Sequence, residues 1–171
     1  MFARARGFTL IEAMLAMALL AVLAGLAAPA LTQLRHAQQV RVASIDLASA
    51  FVLAREEAIT RRQAVLVVSQ DGEWSKGWRI FVDLDADGRH DDGEPLLYVG
   101  AARGAGVRIG GNAPVSRYVR YTPSGEARLL SGAFQAGTLT VCHESGRQPL
   151  RRLVLSASGR LRIAKGEAGT C

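Results

Sequence analysis

Three stretches of this 171-residue chain combine residue types and spacings that could do chemistry. The first is Asp83-Leu84-Asp85-Ala86-Asp87-Gly88, continued by Asp91 and Glu94. Taking Asp83 as loop position 1, acids recur at positions 3, 5, 9 and 12, with glycine at 6. That is the spacing of an EF-hand calcium loop, whose alternate oxygens converge on one hard cation while glycine permits the sharp turn. The flanks read as strands, so the competing reading is a solvated loop whose Asp and Gly residues favour turns. The second stretch is Ser158-Gly159-Arg160-Leu161-Arg162, followed by Lys165. Arginines two residues apart on a strand point to one face. Such a row can contact successive phosphates and release counterions. Arg151 and Arg152 lie on the preceding strand. With little aromatic interleaving, base stacking and sequence readout are not expected. The competing reading is a strand edge protected by charge. The third stretch is Gly7-Phe8-Thr9-Leu10-Ile11-Glu12, ahead of an uncharged run over 13–34. A carboxylate at a membrane-helix position is costly and usually has a functional partner.

Catalysis finds no support. There is no GxSxG, no Ser/His/Asp arrangement, no phosphate loop and no HExxH. Glu56 and Glu57 are adjacent helix positions, which do not face each other. His36, His90 and His143 are scattered. The chain is read as a non-enzyme that needs no cofactor, calcium in the acidic loop being the one candidate.

Charge is unevenly spread. Residues 35–99 hold 8 Lys and Arg against 11 Asp and Glu, whereas 100–171 hold 11 against 3. Only Lys76 and Lys165 are lysines. A basic second half suggests a polyanion partner, or else a solvated basic face.

The elements that must position these residues follow from periodicity. The run 8–34 is long enough to cross a bilayer core as a helix. A helical pattern continues to about residue 62, with Pro29 expected to kink or loosen it. Past Pro29, Val40, Leu47, Phe51, Ala54 and Ala58 recur on one face, so this half is amphipathic and packs on its own head. The period then changes. Strands are expected at 64–69, 78–82, 95–99, 117–121, 127–130, 138–142, 153–156 and 160–163. The Gly-rich stretch 101–114 reads as irregular, with a short strand at 107–109. Gly125 and Gly159 mark turns. A long helix followed by short strands is an α+β arrangement, with an antiparallel sheet on one side of the helix.

The leader, 1–7, carries Arg4 and Arg6 and precedes the apolar segment, so cleavage at Gly7-Phe8 would leave the helix on the mature chain. This order resembles the type IV prepilin signal. The resemblance implies that prepilin peptidase cuts after Gly7, that Phe8 becomes N-methylated, and that Glu12 is the assembly acid five places into the mature chain. It also matches Pro29 to a helix-breaking proline. Further on, Gly77-Trp78-Arg79-Ile80-Phe81-Val82-Asp83, Tyr121-Thr122-Pro123-Ser124-Gly125 and the closing 153–163 segment are similar to the GspH/FimT class of minor pilins and pseudopilins. The fold implied is the pilin ladle: a leader at 1–7, an apolar transmembrane and fibre-core half-helix at 8–34, and a periplasmic head at 35–171. Gly159-Arg160-x-Arg162 looks like the motif with which FimT-like minor pilins bind DNA during natural transformation.

The function expected is therefore a FimT-like minor pilin. It would sit in the bacterial inner membrane with its head in the periplasm, assemble with other pilins, and contact double-stranded DNA without sequence preference. The alternative is a GspH-type pseudopilin of a type II secretion system, a scaffold with no DNA role. A more distant one is a calcium-dependent adhesin head. In the compartment so implied disulfides persist, and a Cys142–Cys171 bridge would tie down a segment that otherwise frays. Two free thiols are the other reading.

Overall fold

The computed structural model describes residues 9–101, 104–169 and 171. Helix α1, Leu10–Arg61, opens the described chain. Its start is capped locally. Glu12 N–H donates to Thr9 Oγ1 at 3.3 Å, and Glu12 Oε2 accepts from Thr9 N–H at 3.0 Å and Thr9 Oγ1 at 2.9 Å. This is a reciprocal capping box, legible in Thr9-Leu10-Ile11-Glu12. The helix runs unbroken through Pro29.

The chain forms two compact units, one ending at Arg35 and one running His36–Cys171. In the first, the side chains of 9–34 are exposed all round, Leu10 to 81% and Leu26 to 73%. Its 25 helical residues from Leu10 would extend about 37 Å, more than the roughly 30 Å of bilayer hydrocarbon. By length and composition this helix can cross a membrane.

In the second unit the rest of α1 meets eight strands: β1 Ala64–Ser69, β2 Gly77–Asp83, β3 Leu96–Ala101, β4 Val107–Gly111, β5 Tyr118–Tyr121, β6 Gly137–His143, β7 Pro149–Leu155 and β8 Leu161–Ala168. They form two antiparallel sheets, ordered β3-β2-β1-β5 and β4-β6-β7-β8, rather than one. Val40, Ala43, Leu47, Ala50, Phe51, Ala54 and Ala58 bury one helix face in a core shared with Val65, Val67, Ile80, Val82, Leu139, Val141, Leu153 and Leu155. Four alanines on that face let both sheets approach the helix backbone. β1 and β2 are buried on both faces, since Leu66 and Phe81 are buried beside the helix-facing set. That explains their nearly continuous apolar sequence. Part of the cover is the acidic loop, whose His90 ring lies edge-on to Phe81 at 5.3 Å.

Two sequence expectations need correction. The strand at 127–130 does not form; only the bridges Tyr121–Ala127 and Arg128–Phe134 appear. Ala127 N–H instead donates to Ala157 O, and Gly132 turns the chain back with φ +86°. The last two strands are longer than periodicity suggests, because the β7–β8 ladder runs from Leu155–Leu161 to Pro149–Ala168 through a shift near Pro149.

Candidate functional site

The arginine stretch lies on the β7–β8 hairpin. Its turn is closed by Ser156 N–H to Arg160 O at 3.0 Å and Gly159 N–H to Ser156 O at 2.9 Å. The register pairs Val154 with Arg162 and Leu155 with Leu161. Leu153 and Leu155 point into the core, so Val154 and Arg162 lie on the face turned away from the helix. Arg160 sits in the turn just before β8, where it borders a cleft with Phe51, Val52, Arg55 and Glu56 of α1. Arg160 and Arg162 are exposed. Among the described residues no carboxylate is within ion-pair distance of either. Lys165 is exposed too, but it pairs with Arg151 and lies an odd number of residues from Arg162. Strand alternation puts it on the other face, so the structure does not bring Lys165 into the row.

Gly159 has a different role from its neighbours. It is buried with φ +76°, and a Cβ built there would lie 2.0 Å from Gly125 O and 3.0 Å from Arg55 Nε. Arg55, on α1, donates from Nε to Gly125 O at 2.9 Å and from Nη2 to Ser158 O at 3.4 Å. One helix side chain thus clamps two turns, one following β5 of the first sheet and one between β7 and β8 of the second. Sequence reading missed Arg55; the available signal was the pair of Ser-Gly dipeptides, Ser124-Gly125 and Ser158-Gly159. Gly159→Ala should therefore act on folding. The left-handed backbone and the carbonyl clash together should cost about 2 kcal/mol or more. A thermal melt of the variant should fall by several degrees, and an unchanged midpoint would remove the clamp from the account.

The acidic loop closes mostly on itself. Asp83 Oδ1 accepts from Gly88 N–H at 3.3 Å, Asp85 Oδ1 from Asp87 N–H at 3.2 Å and Asp87 Oδ1 from Arg89 N–H at 2.7 Å. Glu94 takes Leu84 N–H at 2.7 Å and Asp91 N–H at 3.2 Å. Carboxylate oxygens of Asp83, Asp85 and Asp87 lie within 4.8 Å of one another; Asp91 and Glu94 are not in that group. Asp83 is buried, which pushes its pKa above the usual carboxylate range against the Gly88 N–H and the Arg120 charge. Its Oδ2 lies 3.6 Å from Arg120 Nε, so the cluster already has a cationic neighbour.

The histidines, scattered in sequence, are not all scattered in space. His36 stacks on His143 at 3.9 Å between ring centroids. Ser145 N–H approaches His143 Nδ1 at 3.2 Å, which leaves a neutral ring its proton on Nε2. Burial and His36 lower the His143 pKa, against Glu144. Gly7 and Phe8, the processing pair, lie outside the described residues.

The site therefore sits on a two-sheet head closed by a disulfide, in a chain that opens with a long capped helix whose first half is apolar. The family model for Type II transport protein GspH matches residues 43–159, and that for the prokaryotic N-terminal methylation motif matches 2–28. The chain belongs to the GspH family of type IV pilin-like proteins. A curated relative, "Pilin-like protein PilA1" of Thermus thermophilus, is 34% identical over 166 residues, covering 92% of this chain and 97% of that protein. Two solved structures share the fold. The type IV minor pilin FimU of Pseudomonas aeruginosa superposes with TM-score 0.59 at 21% identity, over 74% of this chain and 89% of that one. The minor pseudopilin EpsH of the Vibrio cholerae type 2 secretion system gives 0.54 at 15%, over 74% and 97%. This minor pilin-like subunit is thus a structural component, anchored by its apolar helix, whose family implies processing by prepilin peptidase and assembly with other pilins. The GspH match stops at Gly159, so the clamped turn lies within it and Arg160 and Arg162 lie just beyond.

Proposed function

We propose that this subunit is a minor pilin of a type IV pilus that helps the fibre assemble and touches duplex DNA through Arg160 and Arg162. The observation that carries the DNA part is the arginine cluster at the β7–β8 hairpin: two exposed guanidiniums, one in the turn and one on β8, with no described carboxylate paired to them. Arginine's planar fork suits phosphate. The head is assigned to the periplasm, which fits the Cys142–Cys171 bridge, since disulfides persist in oxidising compartments. No part of this reading needs a cation in the acidic loop.

The experiment is a fluorescence-anisotropy titration of duplex DNA at two salt concentrations. Arg160→Ala with Arg162→Ala should flatten the salt dependence by about 2, one for each lost phosphate contact. Affinity should fall for every sequence alike. The melting temperature should barely move, because exposed charges contribute little to stability. Equal binding by the double variant would remove these arginines from the mechanism. No binding by the parent chain at low salt would favour the second reading, a GspH-type pseudopilin of a type II secretion system, which the family model's description and the EpsH fold support.

A further inference from the structure

We infer that Arg152, on β7, is a further phosphate-contacting residue, forming with Arg162 a diagonal track on the outward face that is bounded by the disulfide strap. The inference rests on the DNA reading above. Arg152 is exposed and pairs across the ladder with Ala164 on one side and Thr140 on the other. Arg162 pairs with Val154. Both arginines occupy outward positions, so they are diagonal cross-strand neighbours, about 7–8 Å apart at their bases. Long guanidinium side chains can close or widen that gap to follow a backbone.

The surroundings leave the track open. On β8 the outward positions beyond Arg162 are Ala164 and Gly166, too small to wall it off. A Cβ at Gly166 would meet Leu150 Cδ1 at 2.7 Å and Arg152 Nε at 3.8 Å, so Arg152 lies along this bare strand. The cavity there, about 650 Å³, is lined by Leu150, Arg152 and residues 165–169, Glu167 being its one acid. On β6 the neighbouring outward positions are Thr138 and Thr140, half-buried hydroxyls able to donate to phosphate. No aromatic ring stands at these outward positions of β6, β7 and β8. A stacked, unpaired base therefore finds no platform, and the regular phosphates of a duplex fit better.

The track ends at β6. There Cys171 crosses the outward face, bridged to Cys142, with its Sγ 3.4 Å from Arg108 O and 3.7 Å from Thr140 O. Arg108, beyond this strap on β4, already has Glu144 at 3.9 Å. Arg151 and Lys165 pair with each other and by alternation belong to the other face, while Lys165, on the edge strand, also borders the cavity beside Arg152. The track thus takes Arg152 from the Arg151-Arg152 pair and leaves Lys165 out.

The test compares Arg152→Ala, Arg152→Lys and Lys165→Ala in the detergent-solubilised full chain, titrated with a mixed-sequence DNA duplex at about 50 and about 200 mM salt. Each true phosphate contact contributes about 0.9 to the logarithmic slope, so Arg152→Ala should shrink the ratio of the two dissociation constants about 3.5-fold. Arg152→Lys should restore most of it, and Lys165→Ala should change it much less. Melting temperatures should stay together. If the parent chain binds and Arg152→Ala keeps the full slope, or Lys165→Ala loses as much, the track is wrong while the Arg160–Arg162 reading survives. If the parent chain does not bind, both fall together.

Discussion

Replacing Glu12 by valine is expected to leave leader cleavage intact and to abolish recovery of this subunit in sheared fibres. After a cut at Gly7-Phe8 the new amino group of Phe8 is a cation at the head of an apolar helix. Packed among other such helices it needs a carboxylate partner. Glu12 Oε2 is occupied by Thr9 N–H and Thr9 Oγ1, whereas Oε1 takes no part in the capping box. That second oxygen is free to meet the amine of this chain or of a neighbour. A buried charge left without its partner costs about 3–5 kcal/mol, equivalent to roughly two to four powers of ten in incorporation. Glu12→Val also removes the carboxylate half of the capping box, worth no more than about 1 kcal/mol, since Thr9 Oγ1 still accepts from the backbone N–H of residue 12. Glu12→Gln separates the two effects: it keeps an acceptor for Thr9 but loses the charge, and should fail nearly as badly as valine. Gly7→Val in the same assay should block cleavage itself, because a branched side chain obstructs the peptidase site. Normal incorporation of Glu12→Val would end the assembly role assigned here, and full recovery with Glu12→Gln would reduce it to capping.

The features legible in sequence were those set by local rules. Period and composition placed α1 to within a residue of its end at Arg61, and strand-forming runs bounded by turn signals placed β1, β2, β5 and β6. The N-terminal signal rested on an ordered set of residue types, so it needed no tertiary information. What was not legible depended on long-range contacts. Residues 127–130 have strand-like residues, but Ala127 is drawn to Ala157 and Arg128 closes back on Phe134, so the segment forms bridges rather than a ladder. Division of the strands into two sheets is decided by which neighbours each strand finds, and β1 pairing with β5 across three intervening strands leaves no mark in either sequence. The same holds at the candidate site. Alternation implied that Arg160 and Arg162 share a face, and Lys165 was read with them, whereas the structure sets Arg160 in the turn beside α1 and pairs Lys165 with Arg151. That Arg152 rather than Arg151 lies beside Arg162 needed the β7–β8 register. Gly159 read as a turn glycine from its dipeptide, but its contact with Gly125 and Arg55 joins segments far apart in the chain.

Reduction of the Cys142–Cys171 bridge is expected to lower the head's thermal midpoint by on the order of 10 °C while leaving its DNA salt dependence unchanged. The bridge joins cysteines 29 residues apart, and its α-carbons are 5.7 Å apart. Closing a loop of that length removes enough unfolded-state entropy to stabilise the fold by about 3–4 kcal/mol. For a head of this size each kcal/mol shifts the midpoint by about 3 °C or more. The location amplifies the effect. β8 is an edge strand held laterally by β7 alone, and the strap returns the chain after β8 to β6 and Arg108. Without it, the residues after 168 lose their tie and the β7–β8 hairpin loses its second attachment. The hairpin ladder and the Arg55 clamp remain, so Arg152 and Arg162 keep their common face and Arg160 its place in the turn. A Cys142→Ser, Cys171→Ser variant avoids leftover thiols and should reproduce the reduced melt. Alkylation of the untreated chain under denaturing, non-reducing conditions should count no free thiol. Two free thiols, or a double variant melting with the parent, would refute the bridge as a stabilising element. A lowered midpoint accompanied by a flattened salt dependence would show instead that the strap holds the arginine face in place, and the clamp at Gly159 would then be insufficient to do so.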